Sequence, residues 1–303
     1  MKKNHKIKIL LKVAIVFVIA VAFITPVTAV APKAQHMKDM NPPSNGAMKS
    51  RGDSWVMQAT GFETPSRGIN YISVVDANIA WAAAYDGSGG DEPTTDYTRT
   101  TNGGVTWVPD SIPNTPELYY AMIFALSENT AWACLFTKSS GTQGIYATTD
   151  GGTTWNRQTT ANFNLAGSFP NCVHFWDANV GWCMGDPVGG YYEIYTTTDG
   201  GTTWTRVPQT DIPVPLSGEF GIVGYYDVFG DTIWFGTNVG RVYKSIDKGY
   251  HWTVAQTPLS GYITPVFKDA NNGLVLDING DIAYLAETSD GGIEWTASNG
   301  YAI

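Results

Sequence analysis

The sequence is short of positive charge, of cysteine and of long apolar runs. Its 303 residues contain 18 lysines and arginines against 27 acidic residues, and such a chain is a poor partner for nucleic acid, whose phosphates attract basic surfaces. Only three cysteines are present, an odd number that leaves one thiol free or available to another molecule. The one long apolar run, residues 13–24, falls short of the roughly 20 residues that a membrane span needs.

That apolar run lies in a segment with the layout of a secretory signal peptide. Five lysines precede it, and the small residues Val27 and Ala29 stand before a cleavage point after Ala29. An uncleaved membrane anchor is the alternative. Cleavage of residues 1–29 leaves 13 basic against 27 acidic residues, a net charge of −14, and residues 30–50 then form a flexible leader. We therefore expect a secreted protein, extracellular or periplasmic, whose partner is a glycan, a cation or a basic protein surface.

Segments that end in tryptophan recur along the chain. TTDGGTTW ends at both Trp155 and Trp204, and related segments end at Trp107, Trp252 and Trp295, at intervals of 48, 49, 48 and 43 residues. A second series, out of phase with the first, consists of Trp81, Trp132, Trp182, Trp234 and Leu274. Self-similarity at such a period indicates a repeat architecture.

One repeat contains four short segments with strand character. In the third repeat these are residues 172–176, 180–184, 191–198 and 202–207, which are rich in aromatic and β-branched side chains. A DAN turn joins the first two segments and a DGG turn joins the last two. No segment has a helical period. Four-stranded units at this spacing predict an all-β fold, a β-propeller over residues 51–303.

The recurring segments resemble the Asp-box, S/T-x-D-x-G-x-T-W, of the sialidase-like BNR-repeat propellers. The pattern is closest to the photosystem II assembly-factor-like branch and to secreted bacterial Asp-box proteins, over Trp55 to Trp295. The resemblance implies that the boxes are structural and lie away from any active site. It assigns that role to Asn102, Trp107, Asp150, Trp155, Asp199, Trp204, Asp247, Trp252, Asp290 and Trp295.

The loops of a propeller divide between its two faces. The tight 1–2 and 3–4 turns share one face, which we call the box face, and the longer 2–3 and 4–1 connections share the other, the loop face. Function usually resides on such varied loops. The candidate ligand-binding acids of the loop face are Asp86, Asp91, Glu92, Asp186, Glu193 and Glu219. The alternative is that each is an ordinary solvated loop acid.

The case for an enzyme is weak in the sequence. A sialidase needs three converging arginines and carries an Arg-Ile-Pro signature, which is absent. Nucleotide-binding and serine-nucleophile motifs are also absent, and neither His174 nor His251 has metal-ligand spacing. RGD at residues 51–53 is short enough to arise by chance. We predict a non-catalytic binding or protein-interaction scaffold for a glycan or protein, without cofactor or metal; a glycosidase with two carboxylates is the alternative.

Two expectations concern cysteine pairing and ring closure. Cys172 and Cys183 flank one tight turn, which favours a cross-strand disulfide after export, whereas Cys134 reads as a small buried apolar residue. Trp55 has the context of a box tryptophan that precedes the first complete repeat. Five repeats plus this extra strand suggest part of a six- or seven-bladed ring; a compact five-bladed ring is the alternative.

Overall fold

The computed structural model describes residues 56–138, 142–279, 282–298 and 301–302. The signal peptide predicted over residues 1–29, the leader over residues 30–50 and the strand predicted at Trp55 lie outside these ranges. None of the described segments forms a helix with the length and apolar content that a bilayer span requires.

The described chain folds into antiparallel sheets that follow one another in sequence. The first two contain Arg67–Val74 (β1), Ala80–Asp86 (β2), Asp96–Thr100 (β3), Val108–Ser111 (β4), and Leu118–Ala125 (β5), Ala131–Thr137 (β6), Gly144–Thr148 (β7), Asn156–Gln158 (β8). The third and fourth contain Pro170–Phe175 (β9), Gly181–Val188 (β10), Tyr191–Thr197 (β11), Thr205–Arg206 (β12), and Gly221–Phe229 (β13), Thr232–Thr237 (β14), Arg241–Ser245 (β15), Thr253–Gln256 (β16). The fifth contains Ile263–Phe267 (β17), Gly273–Asn279 (β18), Ile282–Thr288 (β19), Thr296–Ala297 (β20) and Tyr301–Ala302 (β21).

This architecture confirms the predicted all-β propeller with five visible blades. Within each sheet the strands pair in chain order, and each sheet packs on the next through its first strand, so that β1, β5, β9, β13 and β17 adjoin in succession. The only helix in the described ranges is a short 3-10 turn, Gln209–Asp211. One loop differs from expectation: residues 184–192 form a tight hairpin, because Gly189 and Gly190 adopt φ values of 72° and 91° between β10 and β11.

Each box is closed by a small hydrogen-bond network around the side chain at its Asp position. Asp150 Oδ1 accepts from the Thr148 hydroxyl at 2.9 Å and from the Thr154 N–H at 2.8 Å, and Oδ2 accepts from the Thr154 hydroxyl at 2.6 Å. The Thr148 hydroxyl oxygen in turn accepts from the Gly152 N–H at 2.9 Å. These bonds lower the pKa of Asp150. The carboxylate therefore holds the β7–β8 turn through contacts inside its own motif.

The degenerate boxes keep this network with other atoms. In the first box, Asn102 replaces the acid: its Oδ1 accepts from the Thr106 N–H at 2.9 Å while its amide nitrogen donates to the Thr106 hydroxyl at 2.8 Å. In the fourth box, His251 Nδ1 lies 2.6 Å from Asp247 Oδ2, in place of a threonine hydroxyl. The turn geometry thus tolerates substitution wherever the second oxygen, or its amide equivalent, finds a partner.

Aromatic rings fill the seams between sheets. The second-strand tryptophans Trp81, Trp132, Trp182 and Trp234 are completely or almost completely buried. Trp132 stacks on Phe175 of the next sheet with ring centroids 3.5 Å apart, and Trp234 stacks on Phe267 at 3.7 Å. The box tryptophans also contact the preceding sheet, as Trp155 does at Trp81. Both tryptophan series therefore hold neighbouring sheets together.

The centre of the array is filled by side chains. Tyr71 of β1 reaches β13, where a Cβ atom added to Gly224 would lie only 2.4 Å from the Tyr71 ring. Gly224 has a φ of 70°, a conformation that glycine adopts without strain. Tyr226 donates from its hydroxyl to the Val173 carbonyl oxygen of β9 at 3.2 Å. The inner strands are thus tied to one another across the axis.

The cysteines are not paired as predicted. The register between β9 and β10 is shifted by one residue from the one that would place Cys172 opposite Cys183. Cys172 lies opposite Met184, and Cys183 lies opposite Val173. Cys172 and Cys183 are therefore on opposite faces of the sheet, since successive side chains of a strand alternate. All three, Cys134 included, are free thiols and completely buried. Burial raises the pKa of each thiol.

We expect native protein to resist thiol reagents at all three positions. Burial hides the sulfur atoms, and the raised pKa suppresses the reactive thiolate. Quantification with a chromogenic disulfide reagent should find almost no reaction in buffer and three equivalents in guanidinium chloride. Peptide mapping under non-reducing conditions that recovers a bridge between Cys172 and Cys183 would contradict this register.

Residues 56–61 lie against the first box in the place of a preceding fourth strand. The Trp107 indole N–H donates to Gln58 Oε1 at 3.0 Å, as the Trp204 indole donates to Gln158 Oε1 of the preceding sheet at 2.7 Å. The fifth sheet has no comparable packing against the first within the described ranges. Ring closure and the total number of blades stay predictions.

Candidate functional site

Partly exposed aromatic side chains mark the loop face. Each inner strand starts at this face, because it follows a 4–1 connection. At or just before the start of an inner strand stand Tyr119, Phe169, Phe220 and Tyr262, and Phe136 lies beside Tyr119 near the end of β6. We call these five residues the aromatic rim. Sequence analysis missed the rim, although an aromatic residue at the same place in four repeats was a usable signal.

The rim forms two clusters. The Tyr119 and Phe136 rings stack at 5.3 Å, and Phe136 lies 4.7 Å from Phe169. On the other side, the Phe220 and Tyr262 rings meet at 5.9 Å, and 46% of Tyr262 is exposed. Aromatic side chains that keep a solvent-facing surface are typical of the central contacts of protein interfaces.

The predicted acids Asp91 and Glu92 are exposed and lie beside the first cluster. Asp91 forms an ion pair of 2.5 Å with Lys138, and its backbone carbonyl accepts from the Tyr119 hydroxyl at 2.9 Å. Glu92 is exposed on the same loop. Of the six predicted ligand-binding acids, these two are the ones whose side chains an external molecule can reach most freely.

Asp86 is committed to its own loop. Its Oδ2 accepts from the Ser88 hydroxyl at 2.8 Å and from the Glu92 N–H at 3.1 Å, and its Oδ1 accepts from the Ser88 N–H at 3.0 Å. The hydrogen bond from the Ser88 hydroxyl has the largest effect on the pKa of Asp86, and together these bonds hold that pKa well below its usual range. The side chain shapes the 2–3 loop and has little capacity left for a ligand.

Glu193 lies within the strand predicted over residues 191–198, and Asp186 lies on β10 rather than in a long loop. Glu193 is completely buried on β11, where it accepts from the Ser168 hydroxyl and, at 2.7 Å, from the Tyr195 hydroxyl. Asp186 Oδ1 accepts from the Asn171 amide at 2.7 Å and from the Gly221 N–H at 3.1 Å. Burial raises the pKa of Asp186 to about 6. Both carboxyl groups serve internal contacts.

Glu219 anchors the loop before β13. Its Oε2 accepts from the Leu216 N–H at 2.7 Å and forms a buried ion pair of 2.6 Å with Arg241. Its Oε1 has no partner among the described atoms. Breaking such a pair from one side leaves a buried charge, which is strongly destabilising. The structure therefore uses Glu219 to position the loop.

Arginines on the loop face are already engaged by the protein. Arg67 pairs with Asp96 at 2.7 Å, and Arg241 pairs with Glu219. Arg157 donates to backbone carbonyls, that of Gln143 at 2.8 Å among them. A sialidase-type site needs arginines that converge on a substrate carboxylate. These three arginines instead bind acidic side chains and backbone carbonyls of the protein itself.

Of the two histidines in the described ranges, His174 lies in the core and His251 belongs to the fourth box. His174 packs among aromatic rings, 4.8 Å from Phe124, and burial lowers its pKa to about 3. No three His, Cys, Asp or Glu side chains in the described ranges are grouped closely enough to ligate a metal. Two grooves, of about 430 and 590 Å³, lie beside the third and first boxes. Neither groove contains any of the six predicted acids.

The repeated boxes and the four-stranded sheets define an Asp-box, or BNR-repeat, β-propeller. Residues 117–266 match the family model described as photosynthesis system II assembly factor YCF48. No curated protein matches the sequence.

Solved structures share the fold at low sequence identity. A Niastella koreensis GH74 enzyme is 19% identical, with a TM-score of 0.50, over 76% of this chain and 31% of the enzyme. YCF48 from Cyanidioschyzon merolae is 16% identical, with a TM-score of 0.48, over 80% of this chain and 87% of that one. YCF48 bound to a D1 peptide is 18% identical, with a TM-score of 0.39, over 77% and 82%. The chain thus spans about a third of the GH74 enzyme, and these identities show the fold alone.

Proposed function

We propose that this chain is an exported, non-catalytic propeller whose loop face binds a peptide or protein partner. The observation that carries the proposal is the aromatic rim, in which four successive blades place a partly exposed aromatic residue at the start of the inner strand. Aromatic residues that only fill the core do not need to stand at the start of an inner strand on the loop face. The match of residues 117–266 to a family named for an assembly factor supports a partner that is itself a protein.

The rival function, hydrolysis of glycans, is less well supported by the loop-face acids. A glycosidase needs two carboxyl groups about 5–10 Å apart in an open cleft. Glu193 and Glu219 are buried and bonded internally, and Asp86 holds its own loop. Export depends on residues 1–29 and is tested separately, by following whether a fusion of these residues to a reporter is secreted and cleaved.

We expect peptides selected on residues 30–303 from a displayed random library to need the rim. Tyr262→Ala should weaken their binding by about tenfold, because an exposed aromatic at the centre of an interface typically contributes more than 1 kcal/mol. The matched control is Tyr250→Ala, a tyrosine of similar exposure on the box face, which should leave binding unchanged. Fluorescence anisotropy measures both affinities.

Two results would contradict the proposal. Equal affinity of the Tyr262→Ala variant and the parent chain would remove the rim from the interface. Turnover of any chromogenic glycoside in a panel, lost on substitution of a loop-face acid, would favour the hydrolase.

A further inference from the structure

The first rim cluster presents a continuous aromatic surface. Tyr119, Phe136 and Phe169 are joined ring to ring by the 5.3 Å and 4.7 Å contacts, and each keeps part of its surface in solvent. We call these three residues the aromatic platform. The platform spans the seam between the second and third sheets, so a molecule bound there contacts two blades.

Negative charge surrounds the platform. Asp91, Glu92 and Glu117 are exposed. Desolvation raises the pKa of the Tyr119 phenol, Lys138 lowers it, and the charges of the three acids add to the rise. Within the described ranges, Lys138 pairs with Asp91, and neither Glu92 nor Glu117 has a cationic partner. Glu92 and Glu117 therefore give the surroundings of the platform a net negative charge.

A cation already occupies the platform in the structure. The Lys138 ammonium lies 4.2 Å from the centroid of the Tyr119 ring and 2.5 Å from Asp91 Oδ2. This combination of ring face and carboxylate is the arrangement that binds ammonium and guanidinium groups. The Lys138 side chain is 44% exposed. Its ammonium group lies at the end of a long flexible stem, so another cation can displace it from the Tyr119 ring at low cost.

We propose that the platform binds an arginine or lysine side chain of the partner, which takes the place of Lys138 over the Tyr119 ring between Asp91, Glu92 and Glu117. This inference rests on the proposed function and deepens it, because it assigns the partner a basic segment. The net charge of −14 on residues 30–303 supports the same sign of partner.

Two matched peptides provide the probe. One is a fluorescein-labelled glycine nonapeptide with two arginines flanking a phenylalanine, and the other has glutamates in place of the arginines. We expect the arginine peptide to bind residues 30–303 and the glutamate peptide to fail. The affinity for the arginine peptide should fall with added salt, because exposed charges are screened.

Three variants assign the binding to the platform. Glu92→Gln with Glu117→Gln should weaken the arginine peptide by about fivefold, as expected for two exposed charge contacts. Glu128→Gln with Glu294→Gln removes two exposed charges from the box face and is the control. Lys138→Gln should tighten binding by about threefold, since it frees the ring and removes a competing positive charge. A gain of affinity cannot come from misfolding.

The possible results distinguish failure of this inference from failure of the proposed function. Equal binding of both peptides, no binding of the arginine peptide, or an unchanged affinity in the Glu92→Gln, Glu117→Gln variant would overturn the basic-segment inference. If library-selected peptides still depended on Tyr262 in that case, the proposed function would stand without it. Weaker binding by Lys138→Gln would show that Lys138 builds the site instead of occupying it, and would also overturn the inference.

Discussion

Trp204→Ala should lower the free energy of unfolding by about 3–5 kcal/mol, the range for truncation of a buried aromatic side chain. Trp204 is 4% exposed, its indole N–H donates to Gln158 at 2.7 Å, and its ring meets Phe175 edge-on at 5.6 Å. The substitution removes all of these contacts and leaves a cavity in the seam between the second and third sheets. Urea unfolding followed by tryptophan fluorescence measures the change.

The matched control is Trp107→Ala, at the same position of the first box. Trp107 is only partly buried, and it meets residues 56–61 instead of a complete preceding sheet. Its truncation should cost less than half as much as that of Trp204. Equal losses at the two positions would show that the box tryptophans act within their own hairpins and not between sheets.

The contribution of Asp227 to the unfolding free energy should fall by about 3 kcal/mol at most as the pH rises from about 4 to 7. Burial raises the pKa of Asp227 to about 6, although the N–H groups of Phe267 and Val228 oppose the shift. The folded state therefore binds the proton more tightly than the unfolded chain, in which an aspartate titrates near 4. The stabilisation is complete below pH 4 and is lost as the pH rises through 6.

Asp227→Asn provides the test, because an amide does not titrate. The difference in unfolding free energy between the variant and the parent should shift in favour of the variant between pH 4 and pH 7. Asp110→Asn, at an exposed position, serves as the surface control. A difference that stays constant across this range would mean that Asp227 titrates normally in the folded state.

The repeat period was enough to predict the architecture. The box segments mark each third-to-fourth strand turn, and glycines with φ near 70–90° occupy those turns, so composition and spacing alone identify the hairpins. Residues 184–192 contain the same signal, Gly189 and Gly190. Two glycines between strand-like segments indicate a tight hairpin, and Glu193, which lies inside the strand predicted over residues 191–198, is buried.

Burial and register could not be predicted because they depend on neighbouring sheets. The symmetric placement of Cys172 and Cys183 suggested a pair, yet a shift of one residue turns every side chain to the other face. The acids Asp186 and Glu219 look like solvated residues in the sequence. Their partners, Gly221 and Arg241, come from other strands and only the fold reveals them.

The contact between Tyr71 and Gly224 has a consequence for how the molecule unfolds. In linear repeat proteins each unit touches only its neighbours, so that terminal units can melt separately. Here an inner strand of the first sheet meets an inner strand of the fourth across the axis. Loss of either sheet deprives the other of its packing partner, so the first four sheets should melt in one cooperative transition.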